Sequence, residues 1–230
     1  MMRIAMWSCP RSLGTALMRA WGNRDDTFVI DEPFYGHYLA RASVQHPDGA
    51  ALQARLACDA DEIIASLRAP RQAAIVYEKH MAHHVSLALV DALGPDVRHA
   101  FLVRHPARQL ASLAKVVWPL AAEQTGWPAL AEIFAHTGGG PVVIADELSR
   151  DPTATLQRLC AALAVPFVTA MCGWAAGPRD TDGAWAGAWY ERALASTGFE
   201  PLAPLPEVAP RLERLYAQCM PIYERLTRSP

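Results

Sequence analysis

A cation, two hydroxyls and a glycine lie close together near the start of the chain, in Cys9-Pro10-Arg11-Ser12-Leu13-Gly14-Thr15. The segment separates an apolar run that reads as a buried strand from residues with helical spacing. Backbone N–H groups at such a junction point outward, with the positive end of the helix dipole behind them. Arg11 adds a full charge, and Ser12 and Thr15 add hydroxyl donors. The segment predicts an anion-binding loop, although a strand–helix turn with a surface arginine would use the same residues.

A second cation follows a later apolar run, in the segment Arg104-His105-Pro106. The run at 100–103 predicts a strand, and ligands of open parallel sheets bind outside the carboxyl ends of strands. Pro106 favours the first turn of a helix, and Ser112 stands about two turns later, on the face that returns to the same edge. A strand-end surface charge and a small packing residue are the alternatives for Arg104 and Ser112.

The elements that must position these residues alternate along the first two thirds of the chain. Apolar runs predict strands at 3–8, 27–31, 73–77, 100–103 and 141–144. Helical spacing follows at 15–21, 84–93, from 106 and from 151. Short apolar strands that alternate with helices are typical of a parallel sheet covered on both faces. We therefore predict a three-layer α/β/α fold with a central parallel sheet of about five strands.

The last third of the chain has a different pattern. It predicts a helix at 184–196, a proline-rich connector over 200–210 and a final amphipathic helix at 208–226. No repeat or low-complexity linker divides the chain. We expect one domain over 1–230, with an α/β core over 1–170 and a helical C-terminal extension over 171–230.

The composition is that of an ordinary globular protein, with 52% hydrophobic and 19% charged residues. Basic and acidic residues nearly balance, at 21 and 23, so no surplus of positive charge indicates nucleic-acid binding. The basic set contains 19 arginines and only two lysines, Lys79 and Lys115. Five scattered cysteines without zinc spacing favour reduced thiols in the cytoplasm. No stretch approaches the ~20 apolar residues of a membrane span, so we expect no membrane association.

The two cationic segments together resemble those of the sulfotransferases. Pro10-Arg11-Ser12-x-Gly14-Thr15 resembles their 5′-phosphosulfate-binding loop, and Arg104-x-Pro106-x5-Ser112 resembles their 3′-phosphate-binding segment. The late run VVIADEL, followed by DPTATLQRLCAALAVPF, is similar to the family's last strand, acidic turn and Asp-Pro helix. The resemblance spans roughly residues 3–35 and 73–190. It implies a P-loop NTPase-like fold and the donor 3′-phosphoadenosine-5′-phosphosulfate (PAPS), with no metal ion.

The resemblance also implies roles for individual residues. Arg11, Ser12, Gly14 and Thr15 would hold the 5′-phosphosulfate, and Arg104 and Ser112 would hold the 3′-phosphate. Arg11 would also stabilise the leaving oxygen. Many members carry glycine where this chain has Leu13, so we expect the loop either to use ordinary backbone angles or to grip the donor differently.

Glu32 follows the second predicted strand, where some members of the family carry a general base. It is a candidate to take the proton of an acceptor hydroxyl. A strand-end acid paired with an arginine such as Arg24 is the alternative.

Lys79 lies in Glu78-Lys79-His80-Met81-Ala82-His83-His84, which is similar to the family segment Lys-Thr-His-Leu-Pro. The resemblance implies that Lys79 stabilises the sulfuryl group. The family's catalytic histidine corresponds to Met81, so His80, His83 or His84 could replace it only by a shift of register. Of these three, His84 is the catalytic candidate. A metal site of the three histidines and a set of histidines that only cap a helix and line a polar pocket are the alternatives.

Residues 177–185 are partly similar to the late family segment that closes over the nucleotide. Arg179 corresponds to one of its two basic positions and is a candidate second contact for the 3′-phosphate. Trp185 fits either an adenine-stacking or a core role. Aromatic residues near the second strand, Phe34, Tyr35, His37 and Tyr38, together with Trp118, are candidate pocket residues that would suit a flat or apolar acceptor, and a place in the core is the equal alternative for each.

The predicted function is therefore sulfuryl transfer from PAPS to a hydroxyl or amine of a small molecule. An ATP-dependent phosphotransferase lacks support, because the Walker A pattern G-x-x-x-x-G-K-[ST] is missing. Two further hypotheses are a non-catalytic nucleotide-binding relative and a pyridoxal-phosphate enzyme built on one of the two lysines. The sequence does not indicate an oligomeric state.

Overall fold

The computed structural model describes residues 1–42 and 48–228. These residues form a five-stranded sheet in the order β2-β3-β1-β4-β5, with every neighbouring pair parallel. The strands are β1 (Met2–Ser8), β2 (Thr27–Asp31), β3 (Ile75–Met81), β4 (Val97–Val103) and β5 (Val142–Ile144). Because all run in one direction, their carboxyl ends meet at one edge.

Helices cover both faces of this sheet. In chain order they are α1 (Gly14–Trp21), α2 (Tyr35–Arg41), α3 (Gly49–Gln53), α4 (Ala60–Arg68), α5 (Leu87–Ala92), α6 (Pro106–Leu113), α7 (Trp127–His136), α8 (Ala145–Arg150), α9 (Pro152–Ala162), α10 (Ala186–Trp189), α11 (Glu191–Ala195) and α12 (Glu213–Arg228). The predicted three-layer α/β fold, P-loop-like in its parallel sheet, is confirmed.

The side chains of β1 show how the sheet separates two cores. Ile4 and Met6 point into the layer that contains α1 and α9, whereas Ala5 and Trp7 point into the layer that contains α6 and α7. All four are fully buried. A central parallel strand covered on both faces requires such an unbroken apolar run.

β3 is longer than predicted at its carboxyl end. The apolar run predicts a strand over 73–77, but the strand extends through the charged residues to Met81. This extension is possible because the buried charges are paired: Glu78 accepts from Arg3 Nε at 2.7 Å, and Lys79 donates to Asp31 at 2.8 Å. Lys79 therefore stands inside the strand rather than in the loop after it.

The predicted helix at 184–196 is two short helices, α10 and α11, that meet at Tyr190. The predicted helix at 84–93 is also shorter, because a 3-10 turn, Ala82–His84, precedes α5. The last helix, α12, packs back against α6 and α7. No helix of the described residues is long and apolar enough to cross a membrane.

Candidate functional site

A cleft of about 250 Å³ opens at the carboxyl edge of the sheet. The loop between β1 and α1 forms its floor, the start of α6 forms one wall, and α10 and α11 with the chain that follows them form another. Among the predicted site residues, those that line the cleft are Arg11, Ser12, Gly14, Thr15, Glu32, Lys79, His84, Arg104 and Ser112. Segments far apart in sequence thus meet at the edge where ligands of parallel sheets bind.

The loop backbone corrects one expectation. Leu13 does not use ordinary angles: its φ is 69° and its ψ 18°, in the left-handed region, and Arg11 also has a positive φ of 64°. That region costs an L-residue about 1–2 kcal/mol but is not closed to one without a β-branch. The Leu13 side chain packs against the core layer beside α1, which compensates for part of this cost.

Two residues outside the loop fix its shape. Buried Gln109, on α6, donates from Nε2 to Pro10 O at 3.0 Å. Gly126 packs so closely that a Cβ at that position would lie 3.0 Å from Pro10 Cδ and 3.2 Å from Cys9 Cα. Within the loop, a Cβ on Gly14 would lie 3.1 Å from Lys79 Cε, so a larger residue there would press on the buried lysine beneath it.

Arg11 joins the two predicted anion-binding segments. Its Nε donates to Ser112 Oγ at 3.0 Å, and one of its terminal nitrogens donates to Trp189 O at 2.9 Å. Arg104 in turn donates to the carbonyl of Arg11 at 2.9 Å. Burial and the neighbouring Arg192 lower the pKa of Arg11, although it remains a cation. The cleft floor is therefore cationic.

Two further arginines with no predicted role, Arg108 and Arg192, line the same cleft. Arg108 lies in the first turn of α6 and pairs with Asp146 at 2.7 Å. Arg192 pairs with Glu200 and is exposed. The signal that could have indicated Arg108 is its place in the first turn of the helix that follows Arg104, at the same edge of the sheet. Arg192 had no comparable signal.

Ser12 has the geometry of a ligand-binding hydroxyl. Its side chain is 1% exposed, and its Oγ has no hydrogen-bond partner within the described chain. A buried hydroxyl without a partner costs about 1–3 kcal/mol. The Nε of Arg104 is likewise buried without a partner among the described residues. An anion in the cleft would satisfy both groups, so these residues fit a phosphorylated ligand.

Lys79 is the centre of a buried network beneath the loop. Its ammonium donates to Asp31 Oδ1 and to Tyr190 Oη, each at 2.8 Å, and forms a short ion pair with Glu32. Tyr190 Oη donates to Asp31 Oδ2 at 2.7 Å. Burial alone would lower the pKa of Lys79, but the two carboxylates raise it well above its usual value. Lys79 is therefore a fixed cation.

Glu32 lines the cleft in a constrained conformation. Its φ is 39°, and its side chain is 8% exposed. Burial raises the pKa of Glu32, the Lys79 ammonium opposes that rise, and the adjacent Asp31 adds to it. The alternative partner Arg24 is excluded, because Arg24 pairs with Asp26 at 2.8 Å. Glu32 thus has a raised pKa and access to the cleft, as a general base requires.

The three histidines after Lys79 separate in space. His80 lies within β3, stacks on Trp7 at 4.5 Å and approaches Glu78 Oε2 at 3.1 Å, away from the cleft. His83 and His84 both line the cleft, and His84 Nδ1 lies 4.0 Å from Glu32 Oε2. Among residues 1–42 and 48–228, no group of three or more His, Cys, Asp or Glu side chains is arranged to hold a metal ion.

The segment around Arg179 does not join the cleft lining. Arg179 donates to Arg19 O at 3.3 Å, and its own backbone N–H donates to Asp182. Trp185, by contrast, does line the cleft. It is buried, packs edge-on against Tyr35 at 4.9 Å and donates to Tyr190 Oη at 3.1 Å, so it is part of the cleft wall.

Comparison with known proteins agrees with this architecture. The sulfotransferase domain model matches residues 2–229, so the chain belongs to the sulfotransferase domain family. Similar solved structures include the sulfotransferase domain of the Synechococcus PCC 7002 olefin synthase (TM-score 0.56, 19% identity, 94% of each chain). A sulfotransferase from Alicyclobacillus acidocaldarius is also similar (TM-score 0.61, 13% identity, 98% of this chain and 94% of that one). At these identities the likeness shows the fold.

Curated relatives carry a different name. Branched-chain-amino-acid aminotransferase-like proteins 2 and 1 of Arabidopsis thaliana are 36% and 34% identical over 229 residues. The match covers 97% of this chain but only 41% of either relative. The chain thus spans about two fifths of the length of these proteins.

Proposed function

We propose that this protein transfers a sulfuryl group from PAPS to a hydroxyl or amine of a small molecule. The observation that carries the proposal is the meeting of Arg11, Ser12, Arg104 and Ser112 in one cleft that also contains Glu32 and Lys79. Cations and hydroxyl donors suit a bisphosphorylated nucleotide, and a carboxylate of raised pKa suits removal of an acceptor proton.

Each group has a distinct part in this reaction. When bound, the donor supplies the sulfuryl group, and adenosine 3′,5′-bisphosphate is the leaving group. Sulfuryl transfer, like phosphoryl transfer, is accelerated mainly by positioning and by cations near the developing charge. Arg11 holds the leaving oxygen, and Glu32 takes the proton of the attacking hydroxyl. Arg104 and Ser112 hold the 3′-phosphate. Arg179, outside the cleft, has this role only if its segment moves.

Lys79 has two consequences for the chemistry. It fixes the side chains of Glu32 and Asp31 in the dry wall of the cleft, and it places a permanent positive charge directly under Gly14. Its ammonium already has three partners. We therefore propose that Lys79 acts on the sulfuryl group through its field, and that His84 positions Glu32 from 4.0 Å.

The names of the curated relatives raise the question of pyridoxal-phosphate chemistry in this chain. A Schiff base needs a free lysine amine. Of the two lysines, Lys79 is held as an ammonium by two carboxylates, and Lys115 is exposed, outside the cleft. Neither favours that chemistry.

All five cysteines are free thiols, which supports a reducing compartment, and we propose the cytoplasm.

Thermal unfolding with added ligands tests the donor. Binding to the native state raises the midpoint by mass action. We expect a rise with adenosine 3′,5′-bisphosphate and none with ATP–Mg²⁺ or pyridoxal phosphate. No rise with the bisphosphate, at concentrations that saturate a known sulfotransferase, would refute the donor assignment.

Two variants test the residue roles. Glu32→Gln should reduce turnover at least 100-fold, since a positioned base contributes about 10²–10⁴-fold, and should leave the bisphosphate-induced rise intact. Turnover that survives would exclude Glu32 as the base.

Arg104→Ala should weaken the binding of adenosine 3′,5′-bisphosphate much more than that of adenosine 5′-phosphate, because only the former carries the 3′-phosphate. Equal weakening would exclude that role.

A further inference from the structure

A second cavity, of about 480 Å³, adjoins the cleft at the end of α2. Its walls come from α2 and from the chain between β3 and α5, and it shares His83 and His84 with the cleft. His84 is the residue that lies 4.0 Å from Glu32. The cleft and the second cavity therefore meet at these two histidines.

The charge of the second cavity is one-sided. Arg41, the last residue of α2, contributes an exposed guanidinium, and His37, His83 and His84 contribute imidazoles. No Asp or Glu is present among the described residues that line it. Since a guanidinium binds a carboxylate through two parallel hydrogen bonds, this wall favours a carboxylate end group.

The inner walls of the cavity are aromatic. Tyr38 stacks on His84 with ring centroids 4.5 Å apart and an interplanar angle of 20°. It also meets His83 edge-on at 5.0 Å. Leu89 and Val85 complete an apolar side. Flat rings pack well against such surfaces, in offset-stacked or edge-to-face geometry.

Helix α2 sets the distance between the two ends. Tyr35, at its start, lines the cleft beside Glu32, and Arg41, at its end, lines the second cavity. Six residues of α-helix rise about 9 Å. His37 fixes the helix, because its Nδ1 bonds to Cys58 O at 3.0 Å. The backbone positions of Tyr35 and Arg41 relative to each other are thus fixed by the fold.

We propose that the acceptor is an aryl carboxylate: a planar ring that carries a hydroxyl for Glu32 at one end and a carboxylate for Arg41 at the other. The inference rests on the proposed function, since it assigns the acceptor class of the same site. The roughly 9 Å rise of α2 from Tyr35 to Arg41 sets the scale of such a molecule as one ring with a short carboxylate side chain.

The test uses a matched pair of probes, 3-(4-hydroxyphenyl)propanoate and its neutral amide. Their binding is measured by calorimetry in the presence of adenosine 3′,5′-bisphosphate. The acid should bind about fivefold more tightly than the amide, the advantage of one partly solvated ion pair. Arg41→Gln should remove the difference by weakening the acid alone, and Arg41→Lys should restore part of it. Arg214→Gln, an exposed arginine on α12, is the control and should change neither.

A second variant tests the space of the second cavity independently of the charge of Arg41. Ser86 is exposed and lines the second cavity, so Ser86→Phe fills that space without disturbing the core. It should abolish binding of the acid and leave bisphosphate binding unchanged. Three outcomes would overturn the inference: the acid does not bind, the acid and the amide bind with equal affinity, or Arg41→Gln weakens the binding of both equally. Failure of the bisphosphate itself to bind would instead refute the donor assignment, and the acid–amide comparison without it still decides this proposal.

Discussion

At the scale of single residues, the site depends on how charges are shared beneath the loop. Three groups, Lys79, Asp31 and Glu32, place two carboxylates around one ammonium with almost no solvent. Asp31 is also held by Tyr190 Oη and by the backbone N–H of Gly183, whereas Glu32 reaches the cleft. Asp31 accepts more hydrogen bonds and holds Lys79 in place, whereas Glu32, the proposed base, faces the cleft.

This arrangement predicts the pH dependence of activity. A base works only when ionised, so kcat/KM should fall as pH drops through the pKa of Glu32, which burial places above the usual glutamate value. Asp31 contributes to that rise through charge repulsion. Asp31→Asn removes the repulsion and leaves Glu32 as the one carboxylate of the two that is paired with Lys79. The acidic limb of the pH profile of kcat/KM should therefore move to lower pH.

The measurement is a pH profile of kcat/KM for both proteins. Asp96→Asn, an exposed carboxylate before β4, is the control and should leave the limb in place. Because the limb reports ionisation rather than amount of folded protein, a merely destabilising effect of Asp31→Asn would lower the plateau without moving it. A limb that does not move would contradict the role of Asp31.

At the scale of elements, α6 and the turn before α7 hold the predicted anion-binding loop, residues 9–15, from two sides. Gln109 donates to Pro10 O from α6, and Gly126 packs on Cys9 and Pro10 with a φ of +79°. The loop carries two left-handed non-glycine residues, so its shape depends on this external support.

Gly126→Ala should therefore damage the loop. Its Cβ would meet Pro10 Cδ at 3.0 Å and Cys9 Cα at 3.2 Å, and both atoms are close to backbone that cannot easily retreat. We expect bisphosphate affinity to fall about tenfold or more, measured by titration. Gly138→Ala is the matched control: its φ is +76°, but no atom lies within 4 Å of its Cβ position. Both variants should lose about 1–2 kcal/mol of stability from backbone strain, and only Gly126→Ala should lose affinity. Equal affinities would show that the contact does not support the loop.

The sequence predicts these elements well where the hydrophobic pattern decides them. It predicts them poorly where ion pairs between distant residues decide them. Each of the five strands contains an apolar run and is predicted from it, but the predicted third strand stops before Glu78, since the ion-pair partners that bury β3 lie in β1 and β2. Helices α2, α3, α4, α7 and α8 were not predicted. The sequence does not indicate a role for Tyr190 either, because a tyrosine between two short helices gives no sign that it reaches the end of a strand.

At the scale of the whole molecule, a nearly neutral chain brings four arginines together at one edge of its sheet. The net charge is −2, yet Arg11, Arg104, Arg108 and Arg192 all face one cleft. The C-terminal region supplies part of that cleft, since Trp189 O accepts from Arg11 and Tyr190 reaches Lys79. Whether residues 171–230 form part of a single domain with the core stays a prediction, and these contacts support it.

A buried ion pair contributes to the attachment of this region. Arg19, on α1, is 1% exposed and donates to both oxygens of Asp182, at 2.8 and 3.1 Å, and to Gly177 O.

Asp182→Asn leaves a buried guanidinium without its counter-charge, which destabilises the fold by about 3–5 kcal/mol where both groups are fully enclosed. We expect the loss to appear first as local opening around Asp182 within residues 177–203, because Asp182 also accepts the backbone N–H of Arg179. Hydrogen exchange followed by mass spectrometry should show faster exchange in that segment, with β1 and β3 unchanged, and weaker bisphosphate binding. Asp180→Asn, two residues away and exposed, should do neither. Exchange that stays slow at 177–203 would mean that the ion pair is not what holds this region on the core.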